Sequence, residues 1–130
     1  LVEKHSLGKR VMFLGILPEK EIAGIICAAD VFVLSSAWEG FGLVVAEAMA
    51  TEKVVIATDS GGVKEVVGDF GLLVPPQNPE ALAHALEKAL NMSPEQVEAL
   101  GKKARKRIIE RYSLESVTDK WLEIYSASGM

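Results

Sequence analysis

The sequence predicts an α/β fold built on a mostly parallel sheet with flanking helices. Short apolar segments alternate with amphipathic helical segments along the chain. One of them, 31–36 (VFVLSS), is continuously apolar at its start, as in a strand that is covered on both faces. Four segments have this strand pattern, namely 10–15 (RVMFLG), 31–36 (VFVLSS), 54–58 (VVIAT) and 71–74 (GLLV). We therefore expect about four strands that are joined by crossover helices.

Helical segments occupy most of the remaining chain. Residues 18–29 begin with a proline, carry acidic residues in the first turn and repeat apolar residues at helical spacing. Ser93, followed by a proline and then by Gln96, is close to a capping box at the start of a helix. The other predicted helices cover residues 42–50, 63–67, 79–91 and 94–111, with a final helix from Ser113 through Tyr125.

The composition is typical of one globular domain, with 130 residues, of which 49% are hydrophobic and 25% charged. No apolar run approaches the roughly 20 residues of a membrane span, and residues 1–10 lack the apolar core of a signal peptide. The single Cys27 excludes a disulfide framework and favours a cytoplasmic location. A net charge of −4 gives no general attraction to nucleic acid. His5 and His84 have no partners at metal-ligand spacing, so we expect no metal site.

The stretch 35–50, SSAWEGFGLVVAEAMA, combines two acids and two glycines at the carboxyl end of a predicted strand. In open α/β sheets, ligands bind at this edge. Gly40 and Gly42 allow backbone conformations and close approaches that side chains forbid. A glycine turn that opens a helix presents unpaired N–H groups and the positive end of the helix dipole to an anion. This position therefore favours a phosphate or diphosphate site.

The two acids flank this turn, with Glu39 before it and Glu47 after it. Glu47 follows Gly42 by about 7.5 Å of helix, which is roughly one sugar from a phosphate at the helix start. It could accept both hydroxyls of a ribose, as the acidic residue of dinucleotide-binding folds does. A glycosidase pair is disfavoured, because the spacing places the acids about 12 Å apart and such pairs lie about 5–9.5 Å apart.

Each acid also has a simpler interpretation. Glu39 could favour the positive end of the following helix, and Glu47 could be a solvated helix residue. Residues 43–49 are mostly apolar, which predicts limited exposure for Glu47. Because an unpaired buried carboxylate is costly, we prefer a ligand partner for Glu47. Trp38 has two equally supported interpretations, as a core residue and as the wall of a sugar site.

The segment Glu39-GFGLVVA-Glu47-AMA resembles the signature of the retaining group 1 glycosyltransferases. The similarity extends over nearly the whole chain, through RVMFLG, AADVFVLSS, VVIATDSGGVKEVV and GLLVPPQNPEALAHAL. Members of this family have the GT-B fold, in which a Rossmann-like C-terminal domain binds a nucleotide-diphosphate sugar. The resemblance implies that residues 1–130 are a fragment of this donor-binding domain, without the acceptor domain and without the first strands of the donor domain.

The resemblance also assigns roles to residues of this chain. Glu39 would be the catalytic residue that contacts hydroxyls of the transferred sugar, and Glu47 would bind the ribose. Gly61 and Gly62 would form a neighbouring rim with a structural role. The diphosphate would be held by the backbone of Gly40, Phe41, Gly42 and Leu43. The base would lie beside a second segment, namely Gly15, Ile16 and Leu17.

The implied reaction is the transfer of a glycosyl group, with retention, from a nucleotide-diphosphate sugar to an acceptor hydroxyl. No cofactor and no metal is implied beside the nucleotide sugar. The acceptor, which would be a sugar, a lipid or a small molecule, would bind through the absent domain, so the isolated fragment is expected to be inactive. Two alternatives remain open: a non-catalytic nucleotide-binding module, and a phosphorylase-like enzyme of the same fold.

Two features depart from the family pattern. A glycine and a proline usually precede the strand that matches 54–58, and residues 51–53 (TEK) stand here instead, which is expected to alter a turn only. Two family strands that lie between the segments 10–15 and 31–36 in the sheet are absent, together with an Arg and a Lys that neutralise the diphosphate. The two segments are then expected to pair directly, to leave a gap, or to borrow strands from another chain.

A basic run covers residues 102–107 and Arg111, on a predicted helix that also carries glutamates. We interpret it as a solvated helix face. Since some members of the family work at membranes, a peripheral membrane contact is kept as an alternative. Cys27 lies on an apolar helix face and is expected to pack as a small hydrophobic residue.

Overall fold

A computed structural model of the protein describes residues 1–127. Helices and strands alternate over the first part of the chain, and three helices follow. The elements are α1 (Glu19–Ala28), β1 (Val31–Leu34), α2 (Leu43–Ala50), β2 (Val54–Thr58), α3 (Val63–Val67), β3 (Leu72–Val74), α4 (Pro79–Leu90), α5 (Pro94–Tyr112) and α6 (Leu114–Ala127). The predicted helices and three of the predicted strands therefore agree with the structure to within a few residues.

The three strands form one parallel sheet in the order β1-β2-β3. In the register, Val31 pairs with Val54 and Ile56 pairs with Leu72. Each parallel connection passes through a helix, because parallel neighbours cannot be joined by a tight turn. The predicted α/β class, a Rossmann-like parallel sheet with flanking helices, is confirmed.

β2 is buried at all five positions because helices cover both faces of the sheet. Its side chains alternate between two cores, as the two-residue period of a strand requires. Val55 and Ala57 face a core formed with α2, α3 and α5, whereas Val54 and Ile56 face a core formed with α4. This two-sided burial explains why the strand is apolar throughout.

The prediction of a strand at residues 10–15 is wrong, and the sheet has three strands rather than about four within the described residues. A strand needs a neighbour to accept and donate its backbone hydrogen bonds. Within residues 1–127, β1 pairs only with β2, and residues 10–15 pair with no strand. Met12 and Phe13 are 80% and 82% exposed. Of the three expected arrangements, direct pairing of segments 10–15 and 31–36 is therefore wrong.

Local signals place the helix starts. The capping box at α5 is present, since the Ser93 side chain accepts from the backbone of Gln96 and the Gln96 side chain accepts from the backbone of Ser93. Asn78, which the sequence analysis did not single out, caps α4 by accepting from the Ala81 N–H at 2.9 Å. The expectation for Cys27 is wrong: the residue is exposed, because α1 buries only Ile26.

Candidate functional site

The segment Glu39–Gly42, here called the glycine loop, connects the carboxyl end of β1 to the start of α2. Gly42 occupies the N-cap position of α2 with φ 80° and ψ 48°, a left-handed conformation that residues with a Cβ adopt at a cost. No side-chain hydrogen bond caps this helix start in the part of the chain that the structure describes. The first backbone N–H groups of α2 consequently have no side-chain acceptor, which leaves the helix start suited to an anion.

Gly61 and Gly62 lie directly against the backbone of the glycine loop. The N–H of Gly62 donates a 2.9 Å hydrogen bond to the carbonyl oxygen of Gly40. A Cβ atom on Gly61 would lie 1.7 Å from the carbonyl oxygen of Glu39, and one on Gly62 would lie 2.4 Å from that of Gly40. The contact between the glycine loop and the entrance of α3 therefore requires the absence of side chains at both positions.

Hydrogen bonds also link the chain at the carboxyl ends of β1 and β2. The carbonyl oxygen of Ser36 accepts hydrogen bonds from the hydroxyl of Thr58 and, at 3.5 Å, from the hydroxyl of Ser60. Thr58 and Ser60 are both buried. Because buried hydroxyls need partners, these bonds fix the path of the chain from β1 toward the glycine loop.

The two acids differ in their surroundings. Glu39 is half-buried in the glycine loop, whereas Glu47 is exposed on α2. The expectation that Glu47 has limited exposure is wrong, because α2 turns Val45, Ala46, Ala48 and Met49 into the core and Glu47 away from it. Leu43 and Glu47 are four residues apart and both exposed, so the acid lies on the helix face that begins at the glycine loop.

Residues 15–17 lie beside β1. Gly15 and Leu17 line an apolar groove of about 430 Å³ together with Val33 of β1 and Val44 of α2. Ile16 does not line this groove and is fully exposed. Two of the three residues assigned to the base thus share a groove with the second residue of α2, and Ile16 does not.

The sequence model of the family "Glycosyl transferases group 1" matches residues 1–107. This chain belongs to that family. A relative from Corynebacterium urealyticum, D-inositol 3-phosphate glycosyltransferase, is 39% identical over 96% of the chain. Alpha-maltose-1-phosphate synthase from Mycolicibacterium smegmatis is 40% identical over 84% of it. The group 1 chain spans 30% of the length of each of these relatives.

Solved structures agree with the fold of this group 1 chain. Sucrose-phosphate synthase from Thermosynechococcus elongatus matches 97% of the chain with a TM-score of 0.84 and 37% identity, over 32% of its own length. HepE from Anabaena in complex with UDP-glucose matches 97% of the chain with a TM-score of 0.83 and 26% identity, over 35% of its own length. The C-terminal domain of the group 1 protein LpcC from Francisella tularensis matches 87% of the chain and 59% of its own length, with a TM-score of 0.77 and 29% identity.

Other features that the sequence analysis weighed are also placed by the structure of this group 1 chain. Trp38 is 77% exposed, so its interpretation as a core residue is wrong, and its interpretation as the wall of a sugar site stays a prediction. Within residues 1–127, no helix has the length and apolar character needed to cross a membrane. The same residues contain no cluster of three or more His, Cys, Asp or Glu side chains that could hold a metal ion.

The sequence analysis missed one contact of the glycine loop in this group 1 chain. The ring of Phe41 meets the ring of Tyr112, the last residue of α5, edge to face. The two residues are far apart in the sequence, and neither hydrophobic periodicity nor a motif connects them. The contact arises because α5 packs on α2, donates side-chain hydrogen bonds to α3 and ends beside the glycine loop.

Proposed function

We propose that this chain is the donor-binding part of a glycosyltransferase. The whole enzyme would transfer a glycosyl group, with retention, from a nucleotide-diphosphate sugar to an acceptor hydroxyl. The observation that carries the proposal is the uncapped start of α2 at the glycine loop, which is braced by Gly62 and flanked by Glu39 and Glu47. The structural likeness to HepE in complex with UDP-glucose supports it.

Each part of the site has a role in this proposal. The backbone N–H groups of residues 40–43 bind the diphosphate, Glu47 accepts the ribose hydroxyls, and Glu39 accepts hydroxyls of the transferred sugar. Residues 15–17 contribute to the side of the site where the base binds. A diphosphate gains negative charge as it leaves the anomeric carbon, and fixed dipoles that already point at it stabilise that charge without reorganisation.

The remaining components lie outside this chain or are small molecules. The proposal needs no cofactor and no metal ion beside the nucleotide sugar. The acceptor, a sugar, a lipid or a small molecule, binds to the part of the relatives' length that this chain does not span. A cytoplasmic location, with or without peripheral contact to a membrane, fits a pathway that consumes nucleotide sugars.

The ribose role of Glu47 predicts a loss of nucleotide affinity in Glu47→Gln. Hydrogen bonds to a charged group contribute about 1.5–3 kcal/mol, so we expect roughly tenfold to hundredfold weaker binding of the nucleoside diphosphate. NMR titrations of the chain with UDP, GDP and ADP would measure this and identify the base. Glu87→Gln, an exposed glutamate of α4, is the matched control and should bind like the wild type. Equal affinities of Glu47→Gln and wild type would remove Glu47 from the site.

The sugar role of Glu39 predicts a different pattern in Glu39→Gln. This variant should bind the nucleoside diphosphate like the wild type but lose roughly tenfold in affinity for the sugar conjugate of the same nucleotide. The same titrations, run with the diphosphate and its sugar conjugate in parallel, measure the difference. A non-catalytic nucleotide-binding module would show no such difference, because it has no use for a group that contacts the sugar. An unchanged ratio of the two affinities would therefore favour that alternative.

A further inference from the structure

Tyr112 connects the glycine loop to α3. Its ring centroid lies 5.4 Å from that of Phe41, with 77° between the ring planes, an edge-to-face geometry that aromatic pairs favour. Its hydroxyl donates a 3.1 Å hydrogen bond to the carbonyl oxygen of Glu65 in α3. We propose that Tyr112 is a positioning residue that holds the glycine loop in the conformation that binds the donor diphosphate. This inference rests on the proposed function and adds a residue from outside the family signature to its site.

Phe41 is the point at which the loop can be held. Phe41 stands between Gly40 and Gly42, neither of which has a side chain that could fix the loop. Glycines lose more conformational freedom on ordering than any other residue, so a loop of this composition is costly to fix through its backbone alone. The phenyl ring is about half exposed, and Tyr112 supplies the aromatic partner that limits its movement.

Tyr112 is itself fixed relative to the loop through α3. At the start of α3, the N–H of Gly62 donates to the carbonyl oxygen of Gly40. At its end, the Arg107 side chain donates to the carbonyl oxygens of Val66, at 2.9 Å, and of Glu65, at 2.5 Å. The glycine loop, α3 and the end of α5 therefore form a closed set of contacts. Loss of the Tyr112 ring is transmitted to the loop through Phe41, whereas the Arg107 hydrogen bonds still hold α3 when only the Tyr112 hydroxyl is removed.

A held loop binds its ligand more tightly because less freedom is lost on binding. Aromatic pairs of this geometry contribute an amount that corresponds to roughly twofold to tenfold in a binding constant. Tyr112 meets the assigned donor site at Phe41, so its effect acts through the loop. This distinguishes it from Glu39 and Glu47, which are proposed to touch the donor.

The test uses Tyr112→Leu, Tyr112→Phe and a matched control, Tyr125→Leu. Tyr125 stacks on Trp121 within α6, so its replacement removes the same kind of ring pair away from the glycine loop. NMR titrations with UDP, GDP and ADP are expected to show twofold to tenfold weaker binding of the preferred nucleotide in Tyr112→Leu. Tyr112→Phe retains the ring contact and should stay within about twofold of wild type, as should Tyr125→Leu. Unchanged affinity in Tyr112→Leu, with a wild type that binds, would overturn the inference.

A measurement without nucleotide separates this inference from the proposed function. Amide hydrogen exchange at Gly62, whose N–H donates to the carbonyl oxygen of Gly40, should be faster in Tyr112→Leu and unchanged in Tyr112→Phe and Tyr125→Leu. If exchange is faster in Tyr112→Leu but the wild type binds no nucleotide, the positioning of the loop is retained and the proposed function is rejected. Unchanged exchange in Tyr112→Leu would reject the positioning. If Tyr112→Leu does not fold, Phe41→Leu removes the same ring pair from the other side, and faster exchange at Gly62 is expected there.

Discussion

Gly101→Ala is expected to lower the free energy of unfolding by about 3 kcal/mol, at the upper end of the typical cost of overpacking a core. Gly101 is buried in α5, where this helix crosses the turn after α2. A Cβ atom there would lie 2.3 Å from the carbonyl oxygen of Glu52. The opposing atom belongs to the backbone, and Glu52 already has a positive φ of 62°. A shift of the turn away from the added methyl group would therefore cost further free energy.

A second contact fixes the same crossing. The Arg105 side chain donates to the carbonyl oxygen of Ala50 at the end of α2, so α5 cannot move away from the turn without breaking this hydrogen bond. Urea unfolding monitored by circular dichroism would measure the change in stability from the midpoint and slope. A loss of less than about 1 kcal/mol would show that the two helices are not packed as closely as described.

Gly24→Ala is the matched control for this prediction. Gly24 lies within α1, and a Cβ atom there would meet nothing within 4 Å. Alanine is favoured over glycine in a helix interior by about 1 kcal/mol, so this variant should be as stable as wild type or more stable. Opposite effects of the same substitution in two helices would locate the cause in tertiary packing, since helix propensity favours alanine at both positions.

The contrast between these glycines shows which parts of the fold the sequence could predict. Helix and strand identities follow from local patterns, and the capping residues at Ser93 and Gln96 are visible in the sequence. The need for glycine at position 101 is not, because it depends on a turn far away in the chain. The strand prediction for residues 10–15 is wrong for the same reason. The segment has the pattern of a strand, but a strand forms only beside a partner strand, which these residues lack within the described part of the chain.

The candidate site divides in the same way. The glycine loop was predicted from the chemistry that glycines and a helix start provide, and the structure places Gly61 and Gly62 against it. The burial of Glu47 was predicted from its apolar neighbours, but α2 turns only some of them, namely Val45, Ala46, Ala48 and Met49, into the core and leaves Glu47 exposed. Tyr112 could not have been found, because an aromatic residue at the end of a helix carries no signal of its partner.

Gly61→Ala is the substitution that should affect the site most. Its Cβ atom would lie 1.7 Å from the carbonyl oxygen of Glu39, a separation that no packed structure tolerates, and the φ of +56° disfavours any side chain. The glycine loop and α3 must therefore move apart, which breaks the hydrogen bond from Gly62 to Gly40. We expect the nucleotide to bind at least tenfold more weakly, the equivalent of about 1.4 kcal/mol, with changed amide shifts at residues 39–42 before any ligand is added.

Gly40→Ala separates the two reasons for a glycine in this region. A Cβ atom at Gly40 would have no neighbour closer than 4.0 Å, so the free protein should keep the amide shifts of wild type at Gly61 and Gly62. If the diphosphate binds against the backbone of the glycine loop, the added methyl group occupies the space it needs, and affinity falls although the loop is undisturbed. Gly61→Ala thus tests the contact that positions the glycine loop, and Gly40→Ala tests whether the loop binds the diphosphate. Wild-type affinity in Gly40→Ala, with weak binding in Gly61→Ala, would move the diphosphate away from Gly40 toward the start of α2, where the uncapped N–H groups alone would bind it.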